Sequence, residues 1–274
     1  MAKNWLIDKT VIVTGASSGI GSHLVRILLT YGCKVVGVSR DGIKAEKFAQ
    51  ALNNERYCYY CFDVGVKSGW EKFLEYLNTN CIQPDVIINN AGILPPFRRA
   101  SSTHSKVYEE SIKVNYLSAV YSYEFILPLL KASSTPTIVN ISSSSALAIL
   151  VGTSAYTAAK TALRAYTECI MYEHKDIYVA SVCPGFAKTD IFREQKHSSN
   201  EGIIGKVSMP ADKMARKIIK KLRRRKRRIV VGIDAHLMSG FYRIAPKFSA
   251  KLFAWVFKKA KLPLFDEVFS SKNG

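Results

Sequence analysis

Tyr156 and Lys160 stand four residues apart on a predicted helix, a spacing that puts both side chains on one face. An ammonium beside a phenol favours the phenolate and eases proton transfer near neutral pH. A run of four serines, Ser142 to Ser145, follows a predicted strand a dozen residues earlier. Alone, a Tyr and a Lys at helical spacing are more commonly a packed ring and a solvated ammonium. The pair therefore acquires meaning only from what the chain places around it.

A second stretch with chemical content is Thr14-Gly15-Ala16-Ser17-Ser18-Gly19-Ile20-Gly21. It follows the apolar run Thr10–Val13, suited to a strand buried on both faces, and precedes Ser22–Leu29, whose apolar residues recur at helical spacing. A glycine-rich turn between a strand and a helix gathers backbone N–H groups and the positive helix end at one point, which suits a phosphate or pyrophosphate. Gly15 allows the sharp turn, Gly19 lets the backbone approach a ligand, and Gly21 lets the helix pack on the strand. Ser17, Ser18 and Ile20 fall in the same cradle. The next predicted strand ends Val38-Ser39-Arg40, where an NAD site would present a carboxylate to the ribose hydroxyls. Ser39 and the Arg40 cation suit a 2′-phosphate, so NADP(H) is favoured over NAD(H). Asp63, with Val64 after it, could accept a hydrogen bond from an adenine amino group, and Asn89-Asn90-Ala91-Gly92 offers small residues for a backbone lying against the cofactor.

Seven strand-like stretches carry these residues: Val11–Thr14, Lys34–Ser39, Tyr57–Asp63, Val86–Asn89, Thr137–Ser142, Tyr178–Cys183 and Ile229–Gly232. Helical patterns fall between most of them, which implies a Rossmann-type doubly wound, mostly parallel sheet of the α/β class. In such a sheet ligands bind beyond the carboxyl ends of the strands, where the candidates above collect. Residues 1–233 would form this domain and 234–274 a basic, amphipathic C-terminal extension. Pro95–Ser105 and Phe192–Pro210 read as flexible, the second as a lid over a pocket.

Thr14-Gly15 with Gly19-Ile20-Gly21, Asn89-Asn90-Ala91-Gly92, Asn115, Ser143, Tyr156 with Lys160, and Pro184-Gly185 occur in that order. Over roughly residues 5–233 the chain resembles the short-chain dehydrogenase/reductase family. The resemblance implies a nicotinamide cofactor and hydride transfer between a carbonyl and a secondary alcohol. It selects Ser143 among the four serines, because that residue lies thirteen positions before Tyr156. It makes Tyr156 the general acid or base, and has Lys160 lower its pKa and hold the nicotinamide ribose. Ser143 polarises the substrate oxygen, and Asn115 bends its helix and serves the proton relay. Pro184, Gly185, Ala187 and Thr189 wrap the nicotinamide. The resemblance also implies a homodimer or homotetramer through the helices around Asn115 and Tyr156.

The net charge of +19 is unevenly placed: Lys206 to Lys261 hold 18 basic and two acidic residues. Ala211 to Arg228 reads as a helix that becomes very basic. Beyond it, Phe248, Leu252, Trp255 and Val256, widened by Phe253 and Phe257 and flanked by lysines, form an amphipathic pattern able to lie on an anionic membrane. The competing reading is an ordinary helix closing a pocket or a subunit contact. Nucleic acid is disfavoured because no binding motif accompanies the charge. The tail also resembles, more loosely, lipid-handling members of the family such as 3-ketodihydrosphingosine reductase-like proteins, which points to a hydrophobic ketone or alcohol. The first residues lack a signal-peptide pattern and no run of 18 apolar residues occurs, so the expectation is a cytoplasmic, peripherally membrane-associated protein. The six cysteines read as isolated thiols; Cys58 and Cys61, three apart in a strand, point to opposite faces rather than forming a metal or redox pair. Two alternatives stay open: a reductase of small polar ketones, and a nucleotide-sensing protein without turnover.

Overall fold

The computed structural model describes residues 4–189, 208–259 and 265–269. All seven expected strands form one parallel sheet. They are β1 (Thr10–Thr14), β2 (Lys34–Ser39), β3 (Tyr57–Cys61), β4 (Val86–Asn89), β5 (Thr137–Ile141), β6 (Tyr178–Pro184) and, after a two-residue pair β7 (Ala187–Lys188) and β8 (Met209–Pro210), β9 (Arg228–Val231). The order β3-β2-β1-β4-β5-β6-β9 reverses direction at β1, which pairs with β2 on one side and β4 on the other. That reversal opens the crevice in which doubly wound folds bind ligands.

The strands read as continuous apolar runs because both faces are covered. On one face Val11, Val13 and Val139 meet α1 (Gly19–Thr30), α2 (Gly42–Leu52) and α7 (Ala211–Arg223). On the other, Ile12, Ile87 and Ile138 meet α3 (Lys67–Thr79), α5 (Ser118–Lys131) and α6 (Ser154–Glu173). Alternate residues of one strand thus serve two separate cores. α4 (Ser105–Ile112) leads through a π-helical turn, Lys113–Leu117, into α5. Two further helices, α8 (Ile233–Ile244) and α9 (Pro246–Lys259), pack on each other beyond β9.

Three expectations change. The helix expected to run from Ala211 to Arg228 stops at Arg223, because a turn follows in which Arg225 adopts φ +50°. There its guanidinium lies 4.5 Å from the Trp5 ring centroid and 5.2 Å from that of Tyr178. The strands β3 and β5 end at Cys61 and Ile141, slightly short of Asp63 and Ser142. Pro95–Ser105, expected to be flexible, is tied down: Phe97 is buried, Arg98 pairs with Glu267 at 2.9 Å, and Arg99 donates to the Val268 carbonyl at 2.8 Å. Most of the expected lid, Phe192–Pro210, lies outside the described residues.

Candidate active site

The glycine-rich turn is fixed from both sides. The amides of Gly15 and Ala16 donate to the Val38 carbonyl at 2.8 and 3.2 Å, anchoring it to β2. Gly15 and Gly19 take φ values of +65° and +51°, which favour glycine. At Gly21 a Cβ would stand 2.1 Å from the Gly15 carbonyl oxygen, so a side chain there cannot coexist with the turn. Across the crevice, the Asn90 side-chain amide donates to the carbonyls of Thr14 (2.9 Å) and Gly15 (3.3 Å). The Thr14 hydroxyl in return accepts from the amides of Asn90 and Ala91 at 2.9 and 3.0 Å. Two strand ends are thereby stitched together at the reversal of the sheet.

Beside this lies a cleft of about 320 Å³ lined by Gly15, Ser18, Gly19, Ile20, Asn90, Ala91, Gly92, Tyr156, Lys160, Pro184 and Thr189 among others. Of the remaining expected cofactor residues, Ser39 is buried and its hydroxyl donates to that of Ser17 at 3.0 Å, while Arg40 is exposed at the end of β2. Asp63 accepts from the Gly65 amide at 2.9 Å and Val64 is buried, so this pair shapes the turn after β3 and does not line the cleft. Gly185 and Ala187 line a neighbouring pocket instead.

The four expected catalytic residues converge. Lys160, 3% exposed, donates from Nζ to the Ile141 carbonyl at 2.9 Å, and the Ser142 hydroxyl donates to the Lys160 carbonyl at 2.8 Å. The helix is thus moored to the end of β5 at this position. Asn115 is buried in the π-helical turn Lys113–Leu117. Its amide donates to the Ile93 carbonyl (2.9 Å) and the Ser111 hydroxyl (3.0 Å), and its Oδ1 accepts from the Ile93 amide (3.0 Å). Ser143 and Tyr156 line the same neighbouring pocket, and the Ser143 hydroxyl accepts from the Ser145 amide at 3.2 Å.

Burial dominates the electrostatics of this pair. Burial pushes the Tyr156 phenol up to about 12, and the hydrogen bond with Ser143 opposes that only in part. Burial likewise lowers the Lys160 ammonium to about 8. Its Nζ is 6.0 Å from the Tyr156 ring centroid and committed to the Ile141 carbonyl. Desolvation is thus the leading influence on both groups.

The neighbouring pocket, about 100 Å³, is lined by Leu94, Phe97, Leu150, Phe186 and Met238 together with Ser143 and Tyr156. Behind the pocket residue Phe97 lies the C-terminal segment. Phe265 packs edge-on to Phe97 at 5.1 Å and stacks on Phe257 at 4.7 Å, in one cluster with Leu94, Leu150 and Val268.

Sequence reasoning misses three positions. Thr14 was visible within the motif but not as a stitch between strands. Lys44 lines the cleft, one turn into α2; its neighbour Asp41 caps that helix, accepting from the Lys44 amide at 3.0 Å and pairing with its ammonium at 3.0 Å. A cation just after Arg40 was the available signal. Asp234 accepts from the Phe186 amide at 2.7 Å and lies where a Cβ on Gly185 or Gly232 would stand, 2.2 and 2.4 Å away. It fixes the loop that carries the pocket wall, and burial raises its pKa. No local pattern announces it.

The profile of the short chain dehydrogenase family matches residues 9–200. The chain belongs to that family. Among its relatives, a benzil reductase ((S)-benzoin forming) of Saccharomyces cerevisiae is 31% identical over 197 residues, covering 69% of this chain and 75% of the yeast protein. A 3beta-hydroxysteroid dehydrogenase of Eggerthella lenta is 28% identical over 203 residues, covering 72% of this chain and 78% of that one. A solved short chain dehydrogenase of Burkholderia cenocepacia in complex with NADP has the same fold, with a TM-score of 0.76 at 18% identity, over 90% of this chain and 98% of that one.

Proposed function

We propose that the protein is an NADP(H)-dependent oxidoreductase interconverting a carbonyl and a secondary alcohol on a hydrophobic, lipid- or steroid-like substrate. The observation that carries this reading is a junction. Tyr156, with Ile20, Leu94, Pro184 and Thr189, lines both the cofactor-sized cleft and the apolar pocket. A phenol there reaches the point where two bound molecules would meet.

The residues present suit a nicotinamide dinucleotide. The glycine turn excludes side chains where a pyrophosphate would lie against the helix α1 terminus. Arg40, and Lys44 at the cleft wall, supply positive charge beyond β2 for a 2′-phosphate. The acid next to Arg40, Asp41, is engaged as a helix cap and so does not take the place of a ribose-binding carboxylate. When bound, the cofactor supplies or accepts the hydride at the substrate carbon.

The protein's own groups handle the oxygen. Tyr156 is protonated at neutral pH, the state needed to donate during reduction, and Ser143 offers a second hydroxyl to the same oxygen. As hydride reaches the carbon, the phenol proton passes to the developing alkoxide; oxidation runs the transfer in reverse. Lys160, still an ammonium at pH 7, has hydrogens for a ribose hydroxyl, and Asn115 holds the Ile93 backbone beside it. A nucleotide sensor has no need of this set, and an apolar wall of Leu94, Phe97, Leu150 and Met238 disfavours small polar ketones.

The test is NADPH and NADH oxidation by the wild type and Tyr156→Phe over ketones graded by chain length. Turnover with NADPH that rises with apolar length and falls by roughly 10²-fold or more in the variant supports the reading. Undiminished turnover in Tyr156→Phe removes the proton donor. Turnover confined to short polar ketones removes the substrate class.

A further inference from the structure

Large apolar side chains are not scattered evenly over the surface. Of the twelve well-exposed ones among the described residues, seven fall between residues 233 and 256: Ile233, Leu237, Phe241, Ile244, Phe248, Trp255 and Val256. On α8 the first four recur at helical spacing and make one stripe, with Ile233 76% and Ile244 86% exposed. The opposite side of α8 does the packing, through buried Ala235 and Met238. Gly240 lies along the stripe, and a Cβ there would meet nothing within 4 Å. α9 repeats the division: Phe257 turns inward onto Phe265, whereas Phe248 and Trp255 stay exposed. That corrects the sequence expectation for Phe257.

The charge around these residues has one sign. Arg243, Lys247, Lys251, Lys258 and Lys259 are exposed on the same two helices, and the Lys259 ammonium lies 4.9 Å from the Trp255 ring centroid. Between Asp212 and Asp266 the sequence holds one acidic residue, Asp234, and its carboxylate is turned inward to the Phe186 amide. Asp234, the acid of α8, is thereby engaged, and α9 carries none to offset the cations. An apolar stripe edged by cations alone matches an interfacial helix pair on an anionic bilayer, in which the side chains enter the acyl boundary and the ammonium groups meet headgroups.

The arginine run noted in the sequence is a weaker candidate for this contact, because the protein uses much of it internally. Arg223 lies over the Tyr31 ring, Arg225 over Trp5 and Tyr178, Arg227 donates to the Met171 carbonyl, and Arg228 pairs with Glu168. The run also precedes β9, at the amino end of the sheet, while α8 begins at the carboxyl end beside the pocket. No described helix is long and apolar enough to cross a membrane, so the contact is with the surface.

We infer that α8 and α9 form a docking face for an anionic lipid bilayer, seated through Ile233, Leu237, Phe241, Ile244, Phe248 and Trp255. The inference fits an apolar substrate but does not depend on one. Its test therefore uses no turnover. The full chain, without cofactor, is sedimented with vesicles of phosphatidylcholine alone and of phosphatidylcholine with phosphatidylserine. Binding should favour the anionic vesicles and weaken with salt. Trp255 emission should shift blue on binding, a shift absent in Trp255→Phe, since Trp70 is buried and Trp5 is covered by Arg225. Leu237→Glu/Phe241→Glu alters exposed positions and should keep the far-ultraviolet spectrum while losing vesicle binding. Lys247→Glu/Lys251→Glu should lower partitioning by roughly tenfold or more, at about fivefold per cation near the surface. Equal binding to neutral vesicles, or full binding by the folded Leu237→Glu/Phe241→Glu chain, overturns the inference. So does a dimer that those substitutions dissolve in the absence of vesicle binding, which would make the stripe a contact with a second copy.

Discussion

One side of the cofactor cleft is shaped by close packing of main chain at the glycine turn, while the pocket beside it is walled by side chains drawn from segments far apart in sequence. Around the cleft, glycines at 15, 19 and 21 bring backbone together, and Thr14 and Asn90 stitch β1 to β4 through bonds of 2.9 to 3.3 Å. Around the pocket, Phe97, Leu150, Phe186 and Met238 come from four separate stretches and meet only through tertiary packing. A wall made of backbone tolerates almost no change in local residue type. A wall made of side chains can be resized one residue at a time, so the first preserves a common ligand and the second selects an individual one.

The sharpest way to break that contrast is Gly21→Ala. The added carbon would lie 2.1 Å from the Gly15 oxygen and 2.6 Å from the Asn90 amide, so either the turn or the stitch must give. NADPH binding, followed by fluorescence titration, should be lost or weakened by about 10²-fold, because the amides that face the phosphates move. A cleft that still binds NADPH normally would mean that the turn has a freedom incompatible with the close approach seen here.

The same contrast explains what the sequence made legible. The seven strands could be read because each is apolar on both faces and bounded by a turn. The glycines could be read because backbone geometry dictates residue type locally. Tyr156, Lys160, Ser143 and Asn115 were legible through their order and spacing. Asp234 was not, since it acts across 48 residues on the Phe186 amide, and no period or turn chemistry records such a contact. Phe265 was equally silent: only the folded chain brings it onto Phe97. The arginine run misled in another way. A string of charges reads as solvated surface or an anionic partner, yet aromatic rings and carbonyls hold several of these guanidiniums.

An intermediate effect is expected at Lys160, where the site trades stability for chemistry. With its pKa lowered from the ordinary 10.5 to about 8, the unfolded chain binds more protons than the folded one between those values. The contribution of Lys160 to stability therefore rises with pH across that window, against the opposite trend from the raised thiols of Cys33 and Cys183. The burial cost is constant below about pH 8 and gone above about 10.5, on the order of 3 kcal/mol in all. Lys160→Met should subtract this contribution from the pH dependence of urea unfolding measured between pH 7 and 10, and should lose NADPH affinity at the same time. A slope unchanged in the variant would place the titrating group elsewhere.

The smallest effect is expected on the side-chain wall. Phe265→Ala removes a fully buried ring that backs the pocket residue Phe97 and stacks on Phe257, and leaves the backbone of the cleft untouched. The cost to folding should stay near or below the roughly 3–5 kcal/mol of a core Phe→Ala change, because the ring lies in a small satellite cluster rather than in either main core. NADPH affinity should not change. The KM for apolar ketones should rise severalfold, and the optimum should move toward bulkier molecules that occupy the vacated space, as graded-substrate kinetics would reveal. A parallel loss of NADPH affinity would show that the C-terminal segment also organises the cleft, and the division between a backbone wall and a side-chain wall would then fail at the point where the two cavities share Tyr156.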